Sequence, residues 1–310
     1  MRILITGVHG FVGSNLVRAL RTDHTIYGLD IVSPIKEGIS YTYSWDDLDK
    51  GIVPNVDAII HLAGKAHDTK NQAAAEVYFK VNTGLTQKIY DYFLKSSARK
   101  FIFFSTAKAA ADRVEDVLTE EVVPAPIGPY GESKIKAEEY ILSHPDSEKQ
   151  VYILRPCMIH GPGNKGNLNL LYNVVKKGIP WPLGAFENRR TFTSIDNLSF
   201  VISGLLTKDV PSGIYNMGDD EALSTNELIE VICESLGKKA HIWKLPKGLM
   251  NGVAKVGGWL HLPLNPERLR KLTENYISSN AKIKAALGIG RMPVEARDGL
   301  RRTLAAFKEN

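Results

Sequence analysis

Cysteine is nearly missing from this chain of 310 residues: Cys157 and Cys233 are the only two, and they lie far apart without the spacing of a metal site. The first residues read as a strand rather than a signal peptide, so the expected setting is the reducing cytoplasm. Long apolar runs are absent as well. The nearest, residues 248–262, is interrupted by Lys255 and several glycines and falls short of a membrane span. That stretch is amphipathic, and a packed helix of a smaller lobe is preferred to attachment on a bilayer surface. There is no internal repeat, no low-complexity tract and no basic stripe interleaved with aromatics. The net charge of +5 and pI near 9.0 suit an anionic ligand, but lysines and arginines are scattered among acids, which disfavours nucleic acid as partner. His9, His61, His67 and His160 show no ligand spacing, so no metal is expected.

What the chain does have is ordinary globular substance, with 44% hydrophobic and 24% charged residues over a length suited to a doubly wound domain plus a smaller lobe. Short apolar runs at residues 2–6, 25–30, 58–62, 101–105 and 151–154 read as buried parallel strands. Amphipathic helices such as 12–21 and 74–94 alternate with them, the βαβ rhythm of a Rossmann-like sheet. After Pro156 the texture changes, and His160-Gly-Pro-Gly-Asn-Lys-Gly-Asn167 reads as a loop leading into a mostly helical region. The expected organisation is an α/β Rossmann-like doubly wound parallel sheet over residues 1–160 and a smaller, mostly helical substrate lobe over 161–310. Later segments such as 191–195 are candidates to return to the first lobe.

Between the first strand and first helix stand Gly7, Gly10 and Gly13. Gly7 permits a tight turn, Gly10 lets backbone approach a pyrophosphate, and Gly13 allows close helix packing, while the helix N-terminus offers N–H groups to the anion. Asp30 ends the second strand, placed to accept hydrogen bonds from an adenosine ribose. No arginine follows it at Ile31, Val32 or Ser33 to neutralise a 2′-phosphate, so NAD is favoured over NADP. The competing account of Asp30 is an ordinary strand-end turn residue.

Tyr130-Gly-Glu-Ser-Lys134 opens a helix after a Pro-rich turn, and its i,i+4 spacing puts phenol and ammonium on one face. A nearby ammonium favours phenolate and lowers the tyrosine toward neutrality, where it can exchange protons. Tyr and Lys four apart also occur on helix surfaces by chance. Thr106 adds weight, because it follows an apolar strand at the end where ligands of parallel sheets gather. Ser105 is the alternative hydroxyl.

With Thr6-Gly-x-x-Gly-Phe-x-Gly13, His61-Leu-Ala-Gly64, Ser105-Thr106, Tyr130-x-x-x-Lys134 and Leu154-Arg-Pro156 in order, the chain resembles extended short-chain dehydrogenases/reductases of the NAD-dependent epimerase/dehydratase family almost end to end. Within them it looks most like the UDP-galactose 4-epimerase group, particularly its bacterial surface-polysaccharide branch. The closer likeness rests on Ser105-Thr-Ala-Lys108, Pro124-Ala-Pro-Ile-Gly-Pro-Tyr130, Gly163-Asn-Lys-Gly-Asn167, Pro182-Leu-Gly184 and the run from Asn188 to Asn197. The resemblance implies a catalytic set of Thr106, Tyr130 and Lys134, with Lys134 also on the nicotinamide ribose. It places Gly7, Gly10, Phe11, Val12, Gly13, Asp30, Leu62, Ala63, Gly64 and Asn82 around the cofactor, and Thr106, Asn167 and Arg189 on the substrate. Arg189 matches the arginine that grips the diphosphate, a task suited to its fork of donors; a solvated turn pair with Arg190 is the competing account. The departures are Thr106, where the family often has serine and the hydroxyl is kept, Met158, where many 4-epimerases carry asparagine, and His160, where tyrosine is frequent.

By the same resemblance the expected activity is NAD-dependent 4-epimerisation of a UDP-N-acetylhexosamine (UDP-GlcNAc/UDP-GalNAc). The alternatives are an NAD(P)H-dependent 4-ketoreductase acting on a UDP-4-keto-6-deoxy sugar, an epimerase of a polyprenyl-diphosphate-linked sugar, and a catalytically silent NAD-binding sensor. The expected partner is the UDP-sugar itself; a homodimer is compatible.

Overall fold

The computed structural model describes residues 1–66, 74–164, 166–260 and 264–308. Among them the strands are β1 (Arg2–Thr6), β2 (Thr25–Leu29), β3 (Tyr41–Tyr43), β4 (Ala58–His61), β5 (Lys100–Phe104), β6 (Val117–Leu118), β7 (Gln150–Pro156), β8 (Met158–His160), β9 (Phe192–Ser194), β10 (Gly213–Met217) and β11 (Ile277–Ser278). The helices of the first half are α1 (Phe11–Leu20), α2 (Trp45–Asp49), α3 (Ala75–Tyr78), α4 (Leu85–Lys95), α5 (Ala107–Ala110) and α6 (Pro129–Ser143). Those of the second are α7 (Asn167–Lys176), α8 (Ile195–Thr207), α9 (Thr225–Ser235), α10 (Lys247–Trp259), α11 (Pro266–Thr273), α12 (Ala281–Leu287) and α13 (Ala296–Lys308).

Seven strands form one parallel sheet in the order β10-β7-β5-β4-β1-β2-β3. The expected Rossmann-like doubly wound sheet is there. Its apolar runs are continuous because both faces are covered. Ile3 and Ile5 of β1, Ala58 and Ile60 of β4 and Ile102 of β5 face α1, α8 and α12. Their neighbours Leu4, Ile59, Phe101 and Phe103 face α4 and α6, whose Ile89, Phe93, Ala137 and Ile141 complete the opposite layer. Each strand thus feeds two cores by its period of two.

Strand order reverses between β1 and β4, which opens the crevice at their C-terminal ends where ligands of such sheets bind. Gly7 and Leu62-Ala63-Gly64 leave the sheet on either side of it. A separate core joins Leu168 and Tyr172 of α7, Leu228 and Ile232 of α9, Met250 and Ala254 of α10 and Leu300 and Leu304 of α13. The second half is not all in that lobe: α8 packs on α1 and β10 extends the main sheet. In the 191–195 segment, β9 pairs in parallel with β8, which directly follows β7.

The strand reading missed β3 and β10, short segments whose polar and glycine residues mask the apolar pattern. The single helix expected over 74–94 is interrupted: a π-helical turn occupies Phe79–Gly84 between α3 and α4. Such turns carry one extra residue and cluster at functional sites.

Candidate active site

The crevice is floored by glycines that no other residue can replace. Gly7 sits at φ +68°, and a Cβ there would come within 2.9 Å of the Ala63 nitrogen; at Gly13 a Cβ would lie 2.5 Å from the Gly7 oxygen. The loop therefore presses β1, β4 and α1 together, and α1 begins at Gly10 without any side-chain cap. Its N–H end is left for an anion. Asp30 closes the loop on its other side, its carboxylate accepting from the His9 N–H at 3.0 Å and the Ile31 N–H at 2.7 Å. Phe11, Val12, Leu62 and Ala63 are half-buried along this floor and Gly64 is exposed. These residues fit a dinucleotide: a turn bare of Cβ atoms, a helix start free of a side-chain cap and a carboxylate at the adjoining strand end. Sequence reading did not anticipate Lys36, whose ammonium donates to Ser14 Oγ at 3.3 Å beside the loop.

Thr106 caps α5 directly after β5, accepting from the Lys108 N–H at 3.3 Å. Its hydroxyl also hydrogen-bonds the Tyr130 phenol. Tyr130 lies in the first turn of α6, and Lys134 follows one turn on, buried, donating to the Phe104 carbonyl at 2.7 Å and lying 4.9 Å from the Phe103 ring centre. The structure thus brings Thr106 and Tyr130 into contact, with Lys134 anchored on the end of the same strand. Burial pulls the Lys134 ammonium down to about 8, with Glu138 opposing. Burial also pushes the Tyr130 phenol up, and the Thr106 bond opposes. The expectation of a depressed tyrosine is therefore corrected. Loss of water around the phenol outweighs its polar neighbours, and Lys134 spends its ammonium on a backbone carbonyl.

Ser105, the alternative hydroxyl, is taken. It donates to buried Glu138, which also holds Arg155 through Nε at 3.0 Å and Nη2 at 2.6 Å. Glu138 was not anticipated. The readable signal was its spacing, one turn beyond Lys134 and two beyond Tyr130 on one stripe of α6.

Asn82 sits within the π turn, fully buried. Its amide oxygen accepts from the Lys65 N–H at 2.7 Å, and its amide nitrogen donates to the Lys65 carbonyl at 3.1 Å and Ser133 Oγ at 2.9 Å. It bolts the loop after β4 to α6. A Cβ on Gly64 would lie 3.0 Å from Asn82 Oδ1 and 3.2 Å from Lys134 Nζ, so this loop passes directly over the lysine. His61 is locked between Thr6 at 2.6 Å and Thr86 at 2.9 Å, and burial holds it well below the usual histidine value, uncharged. His160 pairs with Thr303 Oγ1 at 2.9 Å. His67 lies outside the described residues.

On the substrate side, Asn167 is the exposed first residue of α7. The buried asparagine of that loop is Asn164, whose side chain accepts from the Gly166 N–H at 2.9 Å. The loop reaches back to the cradle, since Asn15 on α1 donates to the Pro162 carbonyl at 2.9 Å. Arg189 is more than half exposed and paired with Glu227 at 2.8 Å and the Ala222 carbonyl at 3.1 Å. Arg190 turns inward instead: it donates to the Lys271 carbonyl and is held below its usual value by burial, beside Glu274, Cys157 and Tyr276. Met158 packs against the second core.

A parallel doubly wound sheet, a glycine cradle at its switch point and a Thr–Tyr–Lys cluster on the adjoining strand and helix define a dinucleotide-dependent enzyme. The model of the NAD dependent epimerase/dehydratase family matches residues 3–218, and the chain belongs to that family. Among curated proteins it is 30% identical to a UDP-glucose 4-epimerase of Vibrio cholerae over 79% of this chain and 78% of that one. It is 27% identical to the N-acetyl-alpha-D-glucosaminyl-diphospho-ditrans,octacis-undecaprenol 4-epimerase of Escherichia coli O157:H7, over 91% and 84%. Among solved structures, UDP-N-acetylglucosamine 4-epimerase from Bacillus cereus superposes with a TM-score of 0.78 at 21% identity, covering 99% of each chain.

Proposed function

We propose that this protein is an NAD-dependent 4-epimerase of nucleotide sugars, with a UDP-N-acetylhexosamine as substrate. The observation that carries the reading is the Thr106–Tyr130 hydrogen bond beside buried Lys134, at the carboxyl edge of the sheet next to the glycine cradle. In this reading Tyr130 takes the proton from the sugar C4 hydroxyl and returns it from the same position, while Thr106 holds the oxygen in place. Lys134, cationic at neutral pH, stabilises the phenolate that Tyr130 must become. Bound NAD would supply the hydride acceptor and donor at C4. Gly7 to Gly13 and Asp30 hold the adenosine diphosphate end, and Gly64, braced by Asn82, admits the ribose beside Lys134. Of the two arginines, Arg190 is offered here as the diphosphate contact, because it turns inward beside Cys157 just past the carboxyl end of β7, whereas Arg189 is exposed and paired with Glu227.

The named curated relatives are both 4-epimerases, which supports this reading over one-way reduction. The test is to supply UDP-N-acetylglucosamine to purified protein with no added cofactor and follow products by NMR. Appearance of the C4 epimer is the expected outcome. If no epimer forms even with NAD supplied, while a UDP-4-keto-6-deoxy sugar is lost with oxidation of NADH, the protein is a 4-ketoreductase. A second reading, epimerisation of a polyprenyl-diphosphate-linked sugar, draws on the Escherichia coli relative and on the exposed Leu249, Val253 and Val256 of α10.

A further inference from the structure

Helix α10 has two apolar faces, and among the described residues only one of them is packed. Met250, Ala254 and Gly257 turn into the second core. Leu249, Val253, Val256 and Leu260, at spacings of four, three and four, form a separate stripe, each 46 to 54% exposed. Trp259 beside them is 79% exposed and Trp243 54%. A lone apolar side chain on a surface needs no account, but a stripe of four flanked on its own helix by an exposed tryptophan marks a contact surface. Trp243, ahead of α10 in the same segment, is fixed by the backbone: its N–H donates to the Trp181 carbonyl at 2.8 Å, and its carbonyl accepts from Gly184 at 3.0 Å. Gly184 is required for that approach, because a Cβ would come within 2.9 Å of the Trp243 oxygen.

The segment that carries the stripe has charge of one sign. From residue 235 to residue 266 there is no aspartate or glutamate, while Lys238, Lys239, Lys244, Lys247 and Lys255 all occur, and all five are exposed. This segment alone carries a formal +5, equal to the net charge of the entire chain, so the rest is formally neutral. The even alternation of charge expected from the sequence fails here. Among the described residues no helix is long and apolar enough to cross a membrane, but lying on one requires only an apolar face, interfacial tryptophans and flanking lysines.

We propose that the outer face of α10, with Trp243 and Trp259, docks on an anionic lipid bilayer. The apolar stripe enters the acyl boundary, the indoles sit at headgroup depth, and the lysines meet lipid phosphates. The preference for a packed helix holds for one face of α10; the other is the membrane contact. This rests on α10 and its flanks, not on the active site.

The test is sedimentation of the full-length protein with vesicles of phosphatidylglycerol and phosphatidylcholine, against vesicles of phosphatidylcholine alone, with tryptophan emission recorded. Binding to the anionic vesicles with a blue shift is expected, at least tenfold weaker on neutral vesicles and in high salt. Val253→Asp with Val256→Asp should abolish it. Lys244→Gln with Lys255→Gln, which leaves the apolar stripe untouched, should weaken it several-fold and keeps the idea testable if the first variant fails to fold. Absence of binding by the unmodified protein, or equal binding by the lysine variant, overturns the proposal. So does a dimer that dissociates on the valine substitutions without any vesicle binding, which would assign the face to a second copy of the chain. Turnover of soluble UDP-sugar, measured on the same samples, separates failure here from failure of the functional reading.

Discussion

At the scale of single residues, three side chains divide the proposed proton transfer. Tyr130 carries the proton, Thr106 holds the oxygen and Lys134 supplies the charge. Replacing Tyr130 by Phe keeps the ring and its packing near Tyr78, whose ring centre is 6.4 Å away, and removes the hydroxyl alone. Turnover should fall by a factor on the order of 10²–10⁴ with NAD binding retained; isothermal titration and steady-state kinetics on the same preparation would check both halves. Lys134 makes a separate, cofactor-free prediction. Its folded value, about 8, lies below its ordinary 10.5, so the folded state bears the cost of a buried charge below about pH 8. That cost fades as pH rises toward 10.5, because the unfolded chain binds more protons in that interval. Stability of the parent relative to Lys134→Met should therefore rise by about 2 kcal/mol between pH 7 and pH 9.5. Urea titrations of both proteins at the two pH values would measure it, and an unchanged difference would mean that the lysine is not desolvated.

At the scale of elements, α6 is the organising piece, and its legibility in the sequence was uneven. Tyr130 and Lys134 were readable because the spacing of four states which residues share a face. Glu138 lay on the same stripe, but its partner Arg155 belongs to β7, and a contact between distant segments leaves no local pattern. The same limit explains the π turn: residues 74–94 keep a helical apolar rhythm, yet the extra residue is fixed by Asn82 reaching Lys65 and Ser133 from two other elements. Arg189 and Arg190 show it again, since adjacent arginines look alike in sequence while in the fold one faces outward to Glu227 and the other turns inward. For α6 the consequence is measurable. Glu138→Gln leaves a guanidinium in the core with no countercharge, at a cost of about 3–5 kcal/mol. Glu138→Leu combined with Arg155→Met, which removes both charges, should be the milder change although it alters more atoms. Chemical denaturation of single and double variants gives the comparison, and a double variant as unstable as the single one would show that the pair is not what holds α6 to β7.

At the scale of the whole molecule, the proposed reading requires two cores to act together, so that a cofactor on the sheet meets a substrate held by the helical lobe. The ties between them are specific. β8 runs straight on from β7 and pairs with β9, which leads directly into α8 on the sheet. Asp219, just past β10, accepts from Ser194 and from Asn197 at 2.7 Å, and Asn197 also donates to the Val294 carbonyl at 2.8 Å ahead of α13. His160 reaches Thr303 on α13 itself. Asn15 joins α1 to the Pro162 carbonyl of the loop that precedes α7. The Ser194–Asp219, Asn197–Asp219 and His160–Thr303 bonds are buried and the Asn197–Val294 and Asn15–Pro162 bonds partly so, and breaking a buried one leaves unsatisfied groups behind. The lobes should therefore unfold as one cooperative unit, although in the proposed reading NAD is held by the first lobe alone. Scanning calorimetry should show a single transition that moves upward as a whole when NAD is added, by about 2.7 kcal/mol at a hundred times its Kd. Two transitions, of which NAD moves only one, would mean that the ties do not couple the cores and that the substrate lobe folds independently of the sheet.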